Sequence, residues 1–521
     1  MKKTLLTICF ILLIPCLSFP ATHYIRSGAT GSGSGEDWTN AYTDWPTFIR
    51  GDTYYLAGGT YGGDTWNVAN DGSLKITIKK AYASDHGAAG DWDASYGTTQ
   101  AYINGTIAVR TGYYVIDGQY RNENDWTEGT AYGIKMYRPS DSKFFETAFG
   151  ASSTASNIEI SYIWLQGQIT GAVGRNDMIY MYYGGADWHI HHNFFRESNS
   201  VWFYAGWGGG GSDDAIVEYN YFWENATYPT QHGEGFQCIG GDGFILRYNV
   251  LRDAKGTAIL SVNDCNNWKI YSNVFLDNDS FHGNGAIGVG NSAYSSSGFK
   301  VYGNTFVDGD CRVGLLYSYT NWSVINNIFL NCSQGIAFAS GVSHSYNAAD
   351  EAISETGFQS LTTSIFTDYS GDVFTLLSGT NAGVTLDSEY NQDMLAITHG
   401  SDGVWDRGAF EYSTGGDVTA PVVTISNDDP DGIGSDSLYI SGTATDAVGV
   451  TGCKFRIGSS PDESNGTALT GTTTWSGTAT GFSEGDNTLY VGCDDAANNW
   501  GVDSITVNLV DSNAIQGMTI N

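Results

Sequence analysis

The sequence predicts an all-β protein: a parallel β-helix solenoid followed by a small β-sandwich. Three observations predict it. One short phrase is written six times between Trp188 and Cys332, as WHIHHNFF, AIVEYNYF, FILRYNVL, WKIYSNVF, FKVYGNTF and WSVINNIF. Each phrase alternates apolar and polar residues around β-branched and aromatic types, the pattern of a strand and not of a helix. Beyond Pro421 the text changes to short alternating runs (VVTI, LYISGTA, CKFRI, TTTWSGTA, NTLYVGC, DSITVNL) separated by Gly, Asp and Asn, which spells a sandwich of about 100 residues.

The repeat is anchored on Asn193, Asn220, Asn249, Asn273, Asn304 and Asn327, at intervals of 27, 29, 24, 31 and 23 residues. A unit of that length cannot bury its own apolar face, so it stacks on copies of itself. No sustained 3.6-residue stripe appears, which excludes helical repeats, and leucines are too irregular for a leucine-rich repeat. Coils of a parallel β-helix stack about 4.8 Å apart. The asparagine then falls at one turn in every coil, where it is expected to adopt left-handed backbone and bond its counterpart in a ladder. Two residues on, Phe195, Phe222, Leu251, Phe275, Phe306 and Phe329 are expected to point inward and stack.

These phrases resemble the repeat of the pectate-lyase-like superfamily of right-handed parallel β-helices, over residues 22–412. That resemblance implies a fold and not a reaction, since lyases, hydrolases, epimerases and binding proteins share it. Alginate and chondroitin lyases carry similar asparagine phrases. Their glycine–glutamate Ca²⁺ motif has no counterpart in DAKGTAILSVND or GNGAIGVG.

Taken in order, residues 1–21 read as a secretory signal, with Lys2 and Lys3 before an apolar stretch, Leu5 to Leu17, too short to span a bilayer. The opening of the next region resembles the capping segment of secreted β-helix proteins, and Trp45 to Arg50 is expected to form a short helix over the open end. Less regular coils follow, as at Tyr113 to Asp117 and Ile158 to Trp164, with projecting loops at Asp91 to Thr98 and Asn122 to Thr130. Leu361 to Tyr412, ending in WDRGAFEY, resembles a closing coil. Residues 413–420 read as a linker, and 421–521 resemble bacterial immunoglobulin-like domains. There Asp428, Asp429, Asp431, Asp446, Asp494 and Asp495 are either Ca²⁺ ligands or ordinary solvated turns.

Of 521 residues, 41% are hydrophobic and 14% aromatic, which excludes disorder. The formal charge of -33 opposes nucleic acid and anionic membranes, and a soluble monomer without a membrane span is expected. Two of the eight cysteines lie in the signal. Cys311 with Cys332, and Cys453 with Cys493, are expected to pair in an exported chain, while Cys238 and Cys265 do not align and are expected to stay free.

Candidate chemistry comes from stacking. Aligning coils on the small residue after each asparagine turn (Ser200, Gly235, Gly256, Gly285) places Asn199, Glu234, Lys255 and Asn284 in one column. Glu197, His232, Asp253 and His282 form a second column two positions earlier. Lys255 is then a candidate base for β-elimination of a uronate, if its pKa falls, with Ca²⁺ held by Glu197, Glu234 or Asp253 neutralising the sugar carboxylate. Alternatively Glu234 and Asp253 are the acid and base of a glycosidase, with His232 or His282 as proton shuttle in either scheme. Trp202, Tyr204 and Trp207, with Asn199 and Asn284, are the candidate sugar-binding residues. His189, His191 and His192 read as strand decoration, and Arg247 as structural.

Two functions follow. One is a secreted carbohydrate-active protein working on an extracellular polysaccharide, by β-elimination or else by glycoside hydrolysis. The other is a noncatalytic adhesin or glycan binder with the C-terminal module as spacer.

Overall fold

The computed structural model describes residues 20–510 apart from 84–90, 139–142, 148–154, 170–176, 183–184, 207–212, 226–232, 280–284, 291–295, 316–318, 414–419, 428–432, 434, 447–448, 463–464 and 496–498. Residues 22–360 wind as a parallel β-helix. Its first face is a sheet of 12 parallel strands in chain order, from Thr22–Ile25 to Val342–Ser345. A second face follows each ladder turn, as in Phe194–Ser198, Tyr221–Asn225, Val250–Arg252 and Val274–Leu276. A third runs through Ile179–Met181, Phe203–Ala205, Phe236–Cys238, Ile259–Ser261 and Ile287–Val289. Phe195 stands beside Phe222 and Phe222 beside Leu251 in strict parallel register, as the repeated phrase requires.

The interior is dry and stacked. Phe195 lies 4.4 Å from Phe222 between ring centroids, and Phe275, Phe306 and Phe329 continue at 4.5 and 4.8 Å. The residue opening each phrase forms a second stack, in which Phe244, Trp268, Phe299 and Trp322 succeed one another at 4.5, 5.7 and 4.3 Å. Each such ring, taken wholly out of water, contributes about 1.5–3 kcal/mol.

The asparagine ladder is present and has seven rungs, the last being Asn347. Each Oδ1 accepts the backbone N–H and the amide of the preceding rung, as Asn249 does from Asn220, both at 3.0 Å. The left-handed residue is not the asparagine but the one before it: His192, Tyr219, Tyr248, Ser272, Gly303, Asn326 and Tyr346 all have positive φ. The asparagine is therefore selected for its two hydrogen-bonding ends and not for backbone tolerance. Glu355 closes the ladder, accepting from the Asn347 N–H and amide at 2.6 and 3.0 Å.

Three expectations are corrected. Trp45 to Arg50 is not helical; Tyr54 Oη takes the Ile49 N–H at 2.8 Å, and the rings of Trp45, Phe48 and Trp66 cap the end of the solenoid instead. Cys238 and Cys265 are bonded, with Cα atoms 6.3 Å apart, because the chain carries Cys265 into the short strand of the next coil. The expected pairs Cys311–Cys332 and Cys453–Cys493 also form. Finally, residues 361–412 do not make a closing coil. They fold back as a strap across the outside of the second face, burying Leu276, Val307, Ile328 and Leu330 beneath Phe366, Phe374, Met394 and Phe410. The WDRGAFEY stretch knots the strap internally: Asp406 accepts from the Thr380 and Tyr412 N–H groups, and Glu411 from those of Gly400 and Asp406. Arg407 ties this knot to the Asn347 carbonyl at 3.1 Å.

The C-terminal module packs a three-stranded antiparallel sheet on a four-stranded one around buried Trp475 and the Cys453–Cys493 bond. Asp494 accepts from Thr451 Oγ1, and Asp495 from Asn499, as in ordinary turns, whereas Asp428, Asp429 and Asp431 lie outside the described residues.

Candidate functional site

Loop length separates the faces. Between first- and second-face strands lie two residues in each of the seven ladder coils, from His191/Phe194 to Ser345/Ala348. Between second- and third-face strands the connection varies from four residues (199–202) to twelve (167–178), and between third- and first-face strands from six (316–321) to ten (206–215). Connections of variable length on a rigid coil are where loops carry function. The sequence-predicted residues gather at the flank between the second and third faces.

Strand register corrects their alignment. Phe203 pairs with Phe236, and Phe236 with Ile259. Counting back, Glu234 stands level with Val201 and Thr257, and Lys255 level with Asn199. Glu234 and Lys255 are therefore two positions apart along the strand direction, because the small residues used as markers follow turns of unequal length. The two are nevertheless linked. Asn225 donates its amide to the Glu234 carbonyl at 3.0 Å and accepts the Lys255 N–H at 2.8 Å.

Side-chain placement divides the candidates. Glu234 and Asn199 are each 1% exposed, at the head of the third face. The hydroxyl of neighbouring Thr257 is buried with no hydrogen-bond partner among the described residues. Lys255 is partly exposed and lies between two carboxylates, bonding Asp253 and reaching Asp279 at 3.4 Å. Burial alone would lower its pKa, but the bond and charge of Asp253, then of Asp279, outweigh it and raise the pKa above the ordinary lysine value. Lys255 is thus held as a cation, which corrects its assignment as a base. Trp202 is 0% exposed and packs on Phe222 at 5.4 Å inside the solenoid, so it is core and not a sugar platform. Tyr204, 4% exposed, stacks on Tyr180 at 4.7 Å and is likewise covered. His232, His282, Asn284 and Trp207 lie outside the described residues.

A column missed by the sequence reading borders this flank. Four residues after each of the first six ladder asparagines stand Glu197, Glu224, Asp253, Asp277, Asp308 and Asn331, all with positive φ. The constant spacing made it legible; the alignment on small residues concealed it. Glu197 accepts from Gln166 at 2.8 Å and pairs with Arg196 at 3.1 Å. Burial, then the charges of Glu197 and Asp253, raise the Glu224 pKa. Outside this column, Trp164 and Trp223 stand half-buried on the outer second face, with Lys135 3.3 Å and Arg196 4.9 Å from their respective ring centroids.

Glu197, Glu234 and Asp253 do not fit a Ca²⁺ cage. Glu234 is in a different position along the coil, Asp253 is engaged by Lys255, and among the described residues no three His, Cys, Asp or Glu side chains converge as ligands. No step is derived through a metal.

The histidines form a separate network on the outer first face. His189 bonds Glu218 at 2.8 Å, which also takes Arg247 at 2.6 Å, and Arg247 donates to Tyr271 Oη at 2.9 Å. His191 approaches Glu159 at 3.6 Å, and Lys75 pairs with Glu159 at 3.1 Å. Arg247 is thus fixed by its partners.

No protein-family model and no curated protein sequence matches the chain. Among solved structures it is similar to a mannuronic acid-specific polysaccharide family 6 lyase from human gut microbiota, at 14% identity over 65% of this chain and 82% of that one, with a TM-score of 0.36. It is similar to the pectate lyase Pel9A at 14% identity, covering 76% and 97%, with a TM-score of 0.33. The A-module of the Azotobacter vinelandii mannuronan C-5 epimerase AlgE6 gives 12% identity, 60% and 88%, and a TM-score of 0.27. At such scores the fold rests on the chain's own parallel sheets and not on these likenesses.

Proposed function

We propose that the chain is a secreted carbohydrate-active protein that works on an extracellular polysaccharide at the head of its third face. One observation carries this reading. Glu234 and Thr257, polar groups that a solenoid core does not need, are buried level with each other at the head of the third face, and Asn199 is buried two positions away, level with the Lys255 cation. Trp164 and Trp223, half-buried beyond the acidic column, replace Trp202 and Tyr204 as faces for sugar rings.

For the reaction we favour β-elimination on a uronate polymer. Elimination needs a cation at the sugar carboxylate, a base that takes the C5 proton, and a proton for O4 as the C4–O bond breaks, which the protonated base can return. A protonated Lys255 suits the first duty, and Glu234 is then the base. Hydrolysis is the second reading, favoured by the abundance of carboxylates, with Glu234 and Asp253 as the pair. Residues 1–21 are read as an export signal, and three disulfides suit an oxidising compartment. The C-terminal sandwich is read as an immunoglobulin-like spacer. No helix of the described residues is long and apolar enough to cross a membrane.

A panel of uronate and neutral polysaccharides tests the reading. The expected result is ultraviolet absorbance from an unsaturated uronate product, lost in both Glu234→Gln and Lys255→Ala. Reducing ends without that absorbance, lost in Glu234→Gln and Asp253→Asn, would select hydrolysis. Binding with neither product would make the chain a glycan-binding adhesin and overturn the catalytic reading.

A further inference from the structure

A cavity of about 780 Å³ lies where the outer second face, the strap, residues 121–127 and the C-terminal module meet. That volume is ordinary for a small-molecule site. Neither Glu234 nor Lys255 lines it, so it stands apart from the function proposed above. The module is joined to the solenoid here, with Tyr120 Oη 3.1 Å from Thr473 Oγ1.

Two properties of the lining select a ligand. The first is aromatic: the rings of Trp126 and Tyr219 stand at 73° with centroids 6.5 Å apart, beside Tyr221 and Phe374. The second is charge. Arg121 is the lining residue with a permanent positive charge, against four carboxylates, Glu123, Asp125, Asp372 and Asp446, of which Asp372 is paired with Arg252 at 2.8 Å. Arg121 is already engaged. It is buried, forks onto Glu123 at 2.8–3.0 Å, donates to the Tyr219 carbonyl, and lies 3.9 Å from the Trp126 ring centroid. His192, also in the lining, is kept neutral, its pKa pushed down to about 2 by burial and then by Arg121 and the two neighbouring imidazoles. Aromatic faces within a negative surround attract an organic cation by ring quadrupole and by charge together. A uronate would instead meet Asp125 and Asp446 beside the arginine-paired Glu123 and Asp372.

We propose that this cavity binds an ammonium-bearing sugar, a glycan fragment with a free amino group. The test is calorimetric titration of the full chain with the glucosamine disaccharide, its N-acetylated counterpart and digalacturonate, following tryptophan fluorescence in parallel. The expected result is saturable binding of the amine that weakens with added NaCl. Binding of the acetylated sugar should be about tenfold weaker, in keeping with the loss of a cation–π contact and its accompanying ion pair. Thr375→Trp sets a bulky ring at the cavity wall without changing the charge of the chain and should weaken binding, as should Trp126→Leu, about tenfold. General attraction of an amine to an acidic protein would be unchanged by Thr375→Trp, and unchanged binding would overturn the proposal. Equal binding of the acetylated sugar would overturn it too, as would absence of binding by the amine. Loss of catalysis at the third face would leave all these outcomes readable.

Discussion

Asn249 shows how much of this fold rests on one side chain per coil. It is wholly buried, accepts twice from Asn220, and donates to the Val217 and Arg247 carbonyls and to Asn273. Asn249→Leu keeps the branched shape of the side chain and strands several buried polar groups. Leaving such groups unpaired costs about 1–3 kcal/mol each, so a loss of roughly 2–4 kcal/mol in urea unfolding is expected. A change under about 0.5 kcal/mol would mean that the ladder is decorative. Six of the seven rungs were legible because phenylalanine or leucine follows them at a fixed distance. Asn347 escaped because Ala349 stands where the ring should be. The left-handed position was misassigned since tyrosines and a histidine occupy it, residues whose composition does not announce positive φ. Lys255 offers a second check at this scale. Asp253→Asn removes its closest partner, so its amine should titrate at lower pH than in the parent, read by NMR of the labelled lysine. An unchanged or higher titration point would show that Asp253 does not hold the cation.

The first-face strands carry a pH dependence of their own. His191, 3.6 Å away, and Lys75, paired at 3.1 Å, bring Glu159 down to about 2 against the effect of burial. Burial works against Glu218 as well, but His189 and Arg247 together lower its pKa. Both carboxylates have folded pKa values below the unfolded value of about 4.3. Their stabilisation is therefore complete above that pH and is lost as pH falls through the folded values. The melting temperature should drop between about pH 5 and pH 2, and the drop should be shallower in Glu159→Gln with Glu218→Gln. An equally steep acid limb in the double variant would place the linkage elsewhere. Alternation made these strands legible, and with them which residues face out. Pairing across strands was not legible, because His189 reaches Glu218 diagonally and not its register partner. The same limit explains the displaced column. Register inside a strand follows from the phrase, but turns of unequal length between faces erase it, so Glu234 and Lys255 aligned in text and not in space.

At the scale of the molecule the question is what keeps a long stack of coils from exposing its sides. Each coil contacts only its neighbours, so exposed ends and apolar flanks have to be covered locally. The N-terminal end carries the Trp45, Phe48 and Trp66 cap, and the strap covers the apolar outer second face. The sequence located the strap but not its role. WDRGAFEY identifies a special segment, while nothing in it specifies which surface it lies upon. The C-terminal module has its own core around Trp475, separate from the clusters of the solenoid and strap. Two shortened chains therefore should behave differently. Ending the chain at Ser413 removes the module and leaves the strap knot intact, so parallel-sheet circular dichroism and the solenoid's melting transition should persist. Ending it at Ser360 uncovers Leu276, Val307, Ile328 and Leu330 as one contiguous apolar patch and removes the Arg407 tie to Asn347. Such a patch on an otherwise acidic surface drives association, so that chain should elute as aggregate or fail to melt cooperatively. A monomeric, cooperatively melting product ending at Ser360 would show that the strap covers the solenoid without stabilising it.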